Sequence, residues 1–303
     1  MRAPLLKKGL GQHHLVDGAL TRPLVAFLDP AGQRVLEIGP GGGVLTAELL
    51  TAGARVLGWE LDPEWAAVLR RRLPDPRLTL VVGDALEIDW SRLPAPTLAA
   101  GNLPYNVATV ILERLLPHHA RVPRAAFLVQ KEVALRLTAG PGDPAYGSLS
   151  VLVAAWARAR MLGKVKPGSF RPPPKVDSAF VGLDLHPPPL PEDEMPAFTL
   201  LVRLAFAKRR KTLRNSLASG WGRETTESVL AAAGFPEKAR AEELSLADFL
   251  VLHQAAGAVF RGSEQEGMRG DPSPQQGDPS PSQGDPSPKK GDPSPEQGDL
   301  SPK

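Results

Sequence analysis

Between residues 35 and 185 of this 303-residue chain, short apolar runs alternate with stretches of helical period. Residues 34–40 read as a strand running into glycines, and residues 44–53 as a helix that closes at Gly53. Residues 54–62 give a second strand, and residues 63–73 a helix with Pro63 at its start, where a missing N–H costs nothing. Residues 78–85 and 97–105 are a third and a fourth strand; residues 107–117 are helical, and residues 124–138 pass from strand to helix. Strands that alternate with helices in this way specify an α/β fold with a doubly wound sheet. Residues 150–162 and 178–185 read as two further strands on either side of the loop 166–177.

Two composition shifts divide the rest. Residues 186–196 are rich in proline and acid and read as a linker, followed by helical stretches at 197–218, 224–234 and 244–260. A small helical domain over 187–260 is therefore expected beside an α/β domain over 1–186. From Gly270 the motif Gly-Asp-Pro-Ser-Pro recurs every seven residues with no apolar position, and its prolines forbid a helix. The tail 261–303 is expected to be disordered, because it cannot bury enough surface to offset the entropy of ordering. It carries five basic and eight acidic residues, so the net +3 of the chain hides a body at +6. A basic body points to an anionic partner, with nucleic acid foremost. The chain has no cysteine, which excludes disulfides, zinc thiolate sites and a cysteine nucleophile. No apolar run reaches bilayer length and the N-terminus lacks a signal-peptide core, so a soluble, cytoplasmic protein is expected.

The first strand ends in Glu37-Ile38-Gly39-Pro40-Gly41-Gly42-Gly43. Glycines at such a turn let the backbone approach a ligand. Glu60, nineteen residues after Gly41, ends the second strand, where a carboxylate can accept from ribose hydroxyls. This pair alone fits NAD or S-adenosylmethionine, or a tight turn beside a surface glutamate. Asp84, in Gly83-Asp84-Ala85 at the end of the third strand, can accept from an adenine amino group and favours S-adenosylmethionine. Pro40 removes an N–H where a pyrophosphate would need one.

Asn102-Leu103-Pro104-Tyr105 follows the fourth strand. The exocyclic nitrogen of adenine is a poor nucleophile because its lone pair is delocalised into the ring. Two acceptors holding its two protons pull it toward tetrahedral geometry. The Asn102 side-chain oxygen and the Leu103 carbonyl can be those acceptors, with Pro104 fixing the turn and Tyr105 offering a flat face to a flipped base. A sulfonium leaving group needs no acid, and the methylated ammonium loses its proton to water, so neither a strong base nor a metal is called for. Positioning and electrostatics would carry the rate.

With these motifs in order, residues 7–258 resemble the ribosomal RNA adenine N6,N6-dimethyltransferase family, and within it the bacterial small-subunit branch. Residues 127–133, 170–178 and 206–215 also match its pattern. The resemblance implies a Rossmann-like S-adenosylmethionine-dependent methyltransferase domain with a helical domain behind it. It implies donor contacts from His13, Leu15, Gly39, Gly41, Glu60, Asp84, Ala85 and Asn102, and no metal. Phe170 is expected on the other face of the target base, beside Asn102, Leu103, Pro104 and Tyr105. Two adjacent adenines near the 3′ end of small-subunit RNA, within an immature 30S particle, are the implied targets of a monomer. The chain departs from the pattern where His13 and His14 replace Asn and Phe. His13 can still donate one hydrogen bond, but His14 removes an apolar anchor. The pair is either neutral for function, on a mobile lid, or it weakens donor binding or alters the substrate.

Lys208, Arg209, Arg210, Lys211 and Arg214 put five cations within seven positions of an expected single helix. Some of them must face solvent, and phosphate contact is the reading adopted for them. Arg70, Arg71 and Arg72 are read as a solvated face. Two alternatives remain: an adenine methyltransferase acting on large-subunit RNA or DNA, and a non-catalytic RNA-binding assembly factor.

Overall fold

The computed structural model describes residues 13–208 and 211–269, with side chains as far as Arg261. Nine strands and ten α-helices occur in this range. The main sheet has seven strands in the order β4 (Leu78–Val82), β3 (Arg55–Glu60), β2 (Arg34–Ile38), β5 (Leu98–Asn102), β6 (Arg124–Gln130), β9 (Ser178–Leu185) and β7 (Ala157–Val165). The first five in this order run parallel, and β9 pairs antiparallel with both β6 and β7. The last strand in sequence is therefore an inner strand of the sheet. Two-residue strands β1 (His14–Leu15) and β8 (Phe170–Arg171) form a separate antiparallel pair, with His14 opposite Arg171 and Leu15 opposite Phe170.

Strand alternation sends successive side chains to opposite faces. Leu36, Ile38, Phe127, Val129 and Val181 pack on one face, and Val35, Ala126, Leu128 and Phe180 on the other. The second face is covered by α1 (Arg22–Leu28) and α2 (Val44–Thr51) through Leu24, Leu28, Leu45 and Leu49. Helix α3 (Pro63–Arg72) starts as expected at Pro63, with the Asp62 side chain accepting from the Glu64 N–H.

The first half of the strand expected over 150–162 belongs instead to helix α6 (Ser148–Trp156), and β7 begins only at Ala157. Nearly every α6 side chain is buried, so its sequence carries no amphipathic period and an apolar run of this length reads equally well as a strand. The other helices of the α/β portion are α4 (Ala108–Leu115) and α5 (Lys131–Thr138).

The expected helix over 197–218 is two helices, α7 (Met195–Ala205) and α8 (Leu213–Trp221). Thr212 caps α8 by accepting from the Asn215 N–H, so Lys208 and Lys211 lie in the turn between helices. Helix α9 (Arg223–Ala233) ends at Gly234 in the left-handed conformation. Helix α10 runs Leu246–Arg269 and so extends into the stretch expected to be disordered; no proline occurs there before Pro272. The Pro-rich repeat from Gly270 lies outside the described residues.

The change at residues 186–196 is a change of secondary structure and not a gap in packing. Phe198, Val202, Leu217 and Phe249 share one continuous core with Leu36, Phe127 and Trp156. The described residues as far as Arg261 belong to one compact unit. Among the described residues no helix is long and apolar enough to cross a membrane.

Candidate active site

Strand order reverses between β2 and β5, since the chain leaves β2 toward β3 on one side and β5 toward β6 on the other. Ligands in open α/β sheets bind at the carboxyl ends of strands at such a point. Pairing of Ile38 with Gly101 and of Ile38 with Trp59 brings Gly39, Glu60 and Asn102 side by side there. A cavity of about 240 Å³ opens at these strand ends, lined by Gly39, Gly41, Glu60, Asp84, Asn102 and Tyr105 among others.

The glycine turn explains itself conformationally. Gly39, Gly41 and Gly43 have φ of +65°, +50° and +80°, in the region that disfavours L side chains. At Gly41 a Cβ would also lie 2.7 Å from the His14 ring. The Glu60 carboxylate holds this turn: Oε2 accepts from the Gly41 N–H at 2.8 Å and Oε1 from the Asp62 N–H at 3.0 Å. Burial pushes the Glu60 carboxyl above its ordinary range, against the pull of those N–H groups. Glu37 is 1% exposed, and burial raises it to about 8, with the Glu60 charge adding to the rise. Its Oε2 is buried without a hydrogen-bond partner.

Asp84 ends β4's run toward the cavity, where Oδ1 accepts from the Leu86 N–H at 2.8 Å and the Trp59 indole donates to its carbonyl at 3.1 Å. Asn102 Nδ2 donates to the His13 carbonyl at 2.6 Å. That bond commits the nitrogen end of the amide and presents the oxygen end as an acceptor. The Leu103 side chain is buried, and its N–H donates to the Leu128 carbonyl at 3.0 Å, which fixes the peptide that follows Asn102. Pro104 offers its carbonyl to the Val107 and Ala108 N–H groups, starting α4. Tyr105 Oη lies 2.6 Å from Ser178 Oγ at the start of β9, and the His13 ring stacks on Tyr105 at 5.6 Å between centroids.

The structure thus gathers His13, Gly39, Gly41, Glu60, Asp84, Ala85, Asn102, Leu103, Pro104 and Tyr105 around one cavity. Leu15 also borders it, although its side chain is mostly buried in the core. Phe170 is not brought there. It is fully buried, paired with Leu15 and packed with Leu24, Leu28 and Phe180, so it presents no face to a base. An apolar ring next to a core strand gains more from burial than from exposure at a cavity mouth. His14 does not leave the N-terminal segment unanchored: its ring lies 4.5 Å from that of Trp65, and Nδ1 accepts from the Gly42 N–H at 3.0 Å. Trp65, Glu37 and Ser178 were not singled out from sequence; Glu37 and Ser178 lie within matched motifs, whereas nothing local marks Trp65.

Of the basic run, Lys208 and Lys211 are exposed, and Arg209 and Arg210 lie outside the described residues. Arg214 is committed within the fold: it pairs with Glu227 and, at 3.8 Å, with Glu237. Arg72 belongs partly to the site, because it donates to the Gly42 carbonyl at 3.0 Å.

The sequence model of one family, described as ribosomal RNA adenine dimethylase, matches residues 4–256. The chain belongs to the ribosomal RNA adenine dimethylase family. Relatives named ribosomal RNA small subunit methyltransferase A include one from Acidothermus cellulolyticus, 42% identical, with 82% of this chain and 88% of that protein aligned. One from a Synechococcus strain is 42% identical, over 82% of this chain and 92% of that protein. Among solved structures, a dimethyladenosine transferase from Plasmodium falciparum superposes with a TM-score of 0.69 at 23% identity, covering 82% of this chain and 98% of that one, and shows the fold. The 23S rRNA methyltransferase ErmE gives 0.63 at 27% identity, covering 80% and 99%. Membership makes the chain an S-adenosylmethionine-dependent rRNA adenine dimethyltransferase of Rossmann-like fold. The cavity suits that donor: the Glu60 carboxyl offers acceptors to a hydroxyl-bearing ligand, and beside it Glu37 Oε2 is buried without a partner.

Proposed function

We propose that this enzyme dimethylates N6 of two adjacent adenines near the 3′ end of small-subunit ribosomal RNA, as a cytoplasmic monomer acting on an immature 30S particle. The observation that carries the reading is the Asn102 amide, anchored through Nδ2 to the His13 carbonyl at the end of an inner strand. The small-subunit assignment rests on the named relatives at 42% identity.

S-adenosylmethionine, when bound, supplies a methyl group on a sulfonium centre. Glu60 accepts from its ribose, Asp84 and Ala85 meet its adenine, and Gly39, Gly41, His13 and Leu15 border the rest. On the acceptor side, Asn102 Oδ1 and the Leu103 carbonyl accept hydrogen bonds from the N6 amino group and so localise its lone pair. One side of Tyr105 is held by His13, so the base stacks on the opposite side. Ser178 fixes the ring by its hydroxyl. The proton is lost from the methylated ammonium to water, so the site needs positioning and not a strong base. Lys208 and Lys211 hold RNA phosphates. The test is incorporation of labelled methyl groups into purified, undermethylated small and large subunits. Label in adjacent small-subunit adenines supports the reading; label only in large subunits, or none, overturns it.

A further inference from the structure

His14 stands where the chain departs from its family's sequence, and the structure gives it a defined set of contacts. Its ring packs against Trp65 of α3, and Nδ1 accepts from the Gly42 N–H. A nitrogen that accepts carries no proton, so the ring is the neutral tautomer with its proton on Nε2. His14 is also half of β1, which pairs with β8, and the preceding carbonyl, that of His13, orients Asn102. One imidazole therefore joins the N-terminal strand to the glycine turn on the donor side and, through His13, to the acceptor side.

We propose that His14 is a positioning residue: as the neutral Nε2–H tautomer it clasps the Gly42 amide and holds the N-terminal strand over the donor cavity, so protonation of the ring releases the strand and weakens donor binding. A doubly protonated ring has two donors and no acceptor, and it would confront the Gly42 N–H. The titratable and charged groups around it are His13 just before β1, Arg171 opposite it on β8, Arg72 on the Gly42 carbonyl, and Glu60 and Glu37 behind the turn. Three of these are or can become cationic. Burial and His13 push the His14 imidazole below its ordinary value, which keeps the clasp closed at neutral pH. The inference deepens the donor-site reading above and rests on it.

The test uses the full chain and S-adenosylhomocysteine, the demethylated donor, by calorimetry at about pH 8 and about pH 5. Unmodified protein should lose affinity at the lower pH, by up to tenfold for each unit that the pH lies below the controlling pKa. His14→Phe, which anchors by apolar contact alone, should lose much less over the same range, while His13→Asn, which removes a neighbouring cation, should keep the loss and move it to higher pH. An identical slope in His14→Phe assigns the effect to Glu60 and overturns the proposal. Nitrogen-15 NMR of the unmodified, ligand-free protein reads the tautomer directly: a proton on His14 Nδ1 at pH 8 overturns it whether or not the variant folds. Failure of the unmodified protein to bind at pH 8 would instead sink the donor-site reading and leave the tautomer result standing.

Discussion

At the scale of single residues, the site depends on groups whose bonds are already made. Asn102 is held through its nitrogen, so Asn102→Ala removes the oxygen that receives the target amine. Single-turnover methylation should fall about 100- to 1,000-fold, the loss of one transition-state hydrogen bond of about 2.7–4 kcal/mol. A loss under tenfold would take Asn102 out of that role. Glu60→Gln should weaken S-adenosylhomocysteine by about 1.5–3 kcal/mol, because a charged acceptor is lost both to the ligand and to the Gly41 N–H; unchanged affinity in calorimetry would place the ribose elsewhere. Glu37 gives a prediction in pH. It ionises at about 4.5 when exposed and at about 8 in the fold, so between those values the folded chain keeps a proton that the unfolded chain gives up. Stability on this account is highest below the lower value and declines as pH rises toward the upper one. Glu37→Gln cannot ionise, and should leave the melting temperature nearly unchanged at pH 4.5. At pH 8 it should raise stability by roughly 1–4 kcal/mol. Equal melting temperatures at pH 8 would mean that folding does not oppose ionisation of Glu37.

Among the elements, the strand ends were legible because each announces itself: apolar residues, then Gly, Glu, Asp or Asn where the sheet stops. What stayed hidden depended on packing at a distance. Helix α6 is buried on nearly all sides, which erases its period, and the run 197–218 breaks because Thr212 caps a second helix. Phe170 fits a base-stacking motif in sequence, yet its partner Leu15 lies 155 positions away and carries it into the core. The break after α7 also splits the basic run by role. Replacing Lys208 and Lys211 by Gln should flatten the slope of log affinity against log salt for small subunits by about 1.5, at 0.7–0.9 for each lost phosphate contact. Arg214→Gln should leave that slope unchanged, since its charge is spent on Glu227 and Glu237. A titration in which only Arg214→Gln changes the slope would reverse these assignments.

For the whole molecule, the helical portion and the sheet stand on one core. Phe198→Ala, which opens a cavity in α7, should cost about 3–5 kcal/mol. Because that core is shared, unfolding followed by circular dichroism and by donor binding should remain one transition at a lower temperature. Two separate transitions would show that residues 187–260 unfold as an independent domain. The inner place of β9 has a further meaning for a chain made from its N-terminus. During synthesis β6 is complete at Gln130, but the strand that covers its open edge is not finished until Leu185. Until then β6 presents a bare row of amides flanked by Phe127, Leu128 and Val129, and β7 has nothing to pair with. A nascent or truncated chain ending before residue 178 is consequently an edge-to-edge aggregation hazard, and the ribosome must deliver eight more residues before the sheet can protect itself.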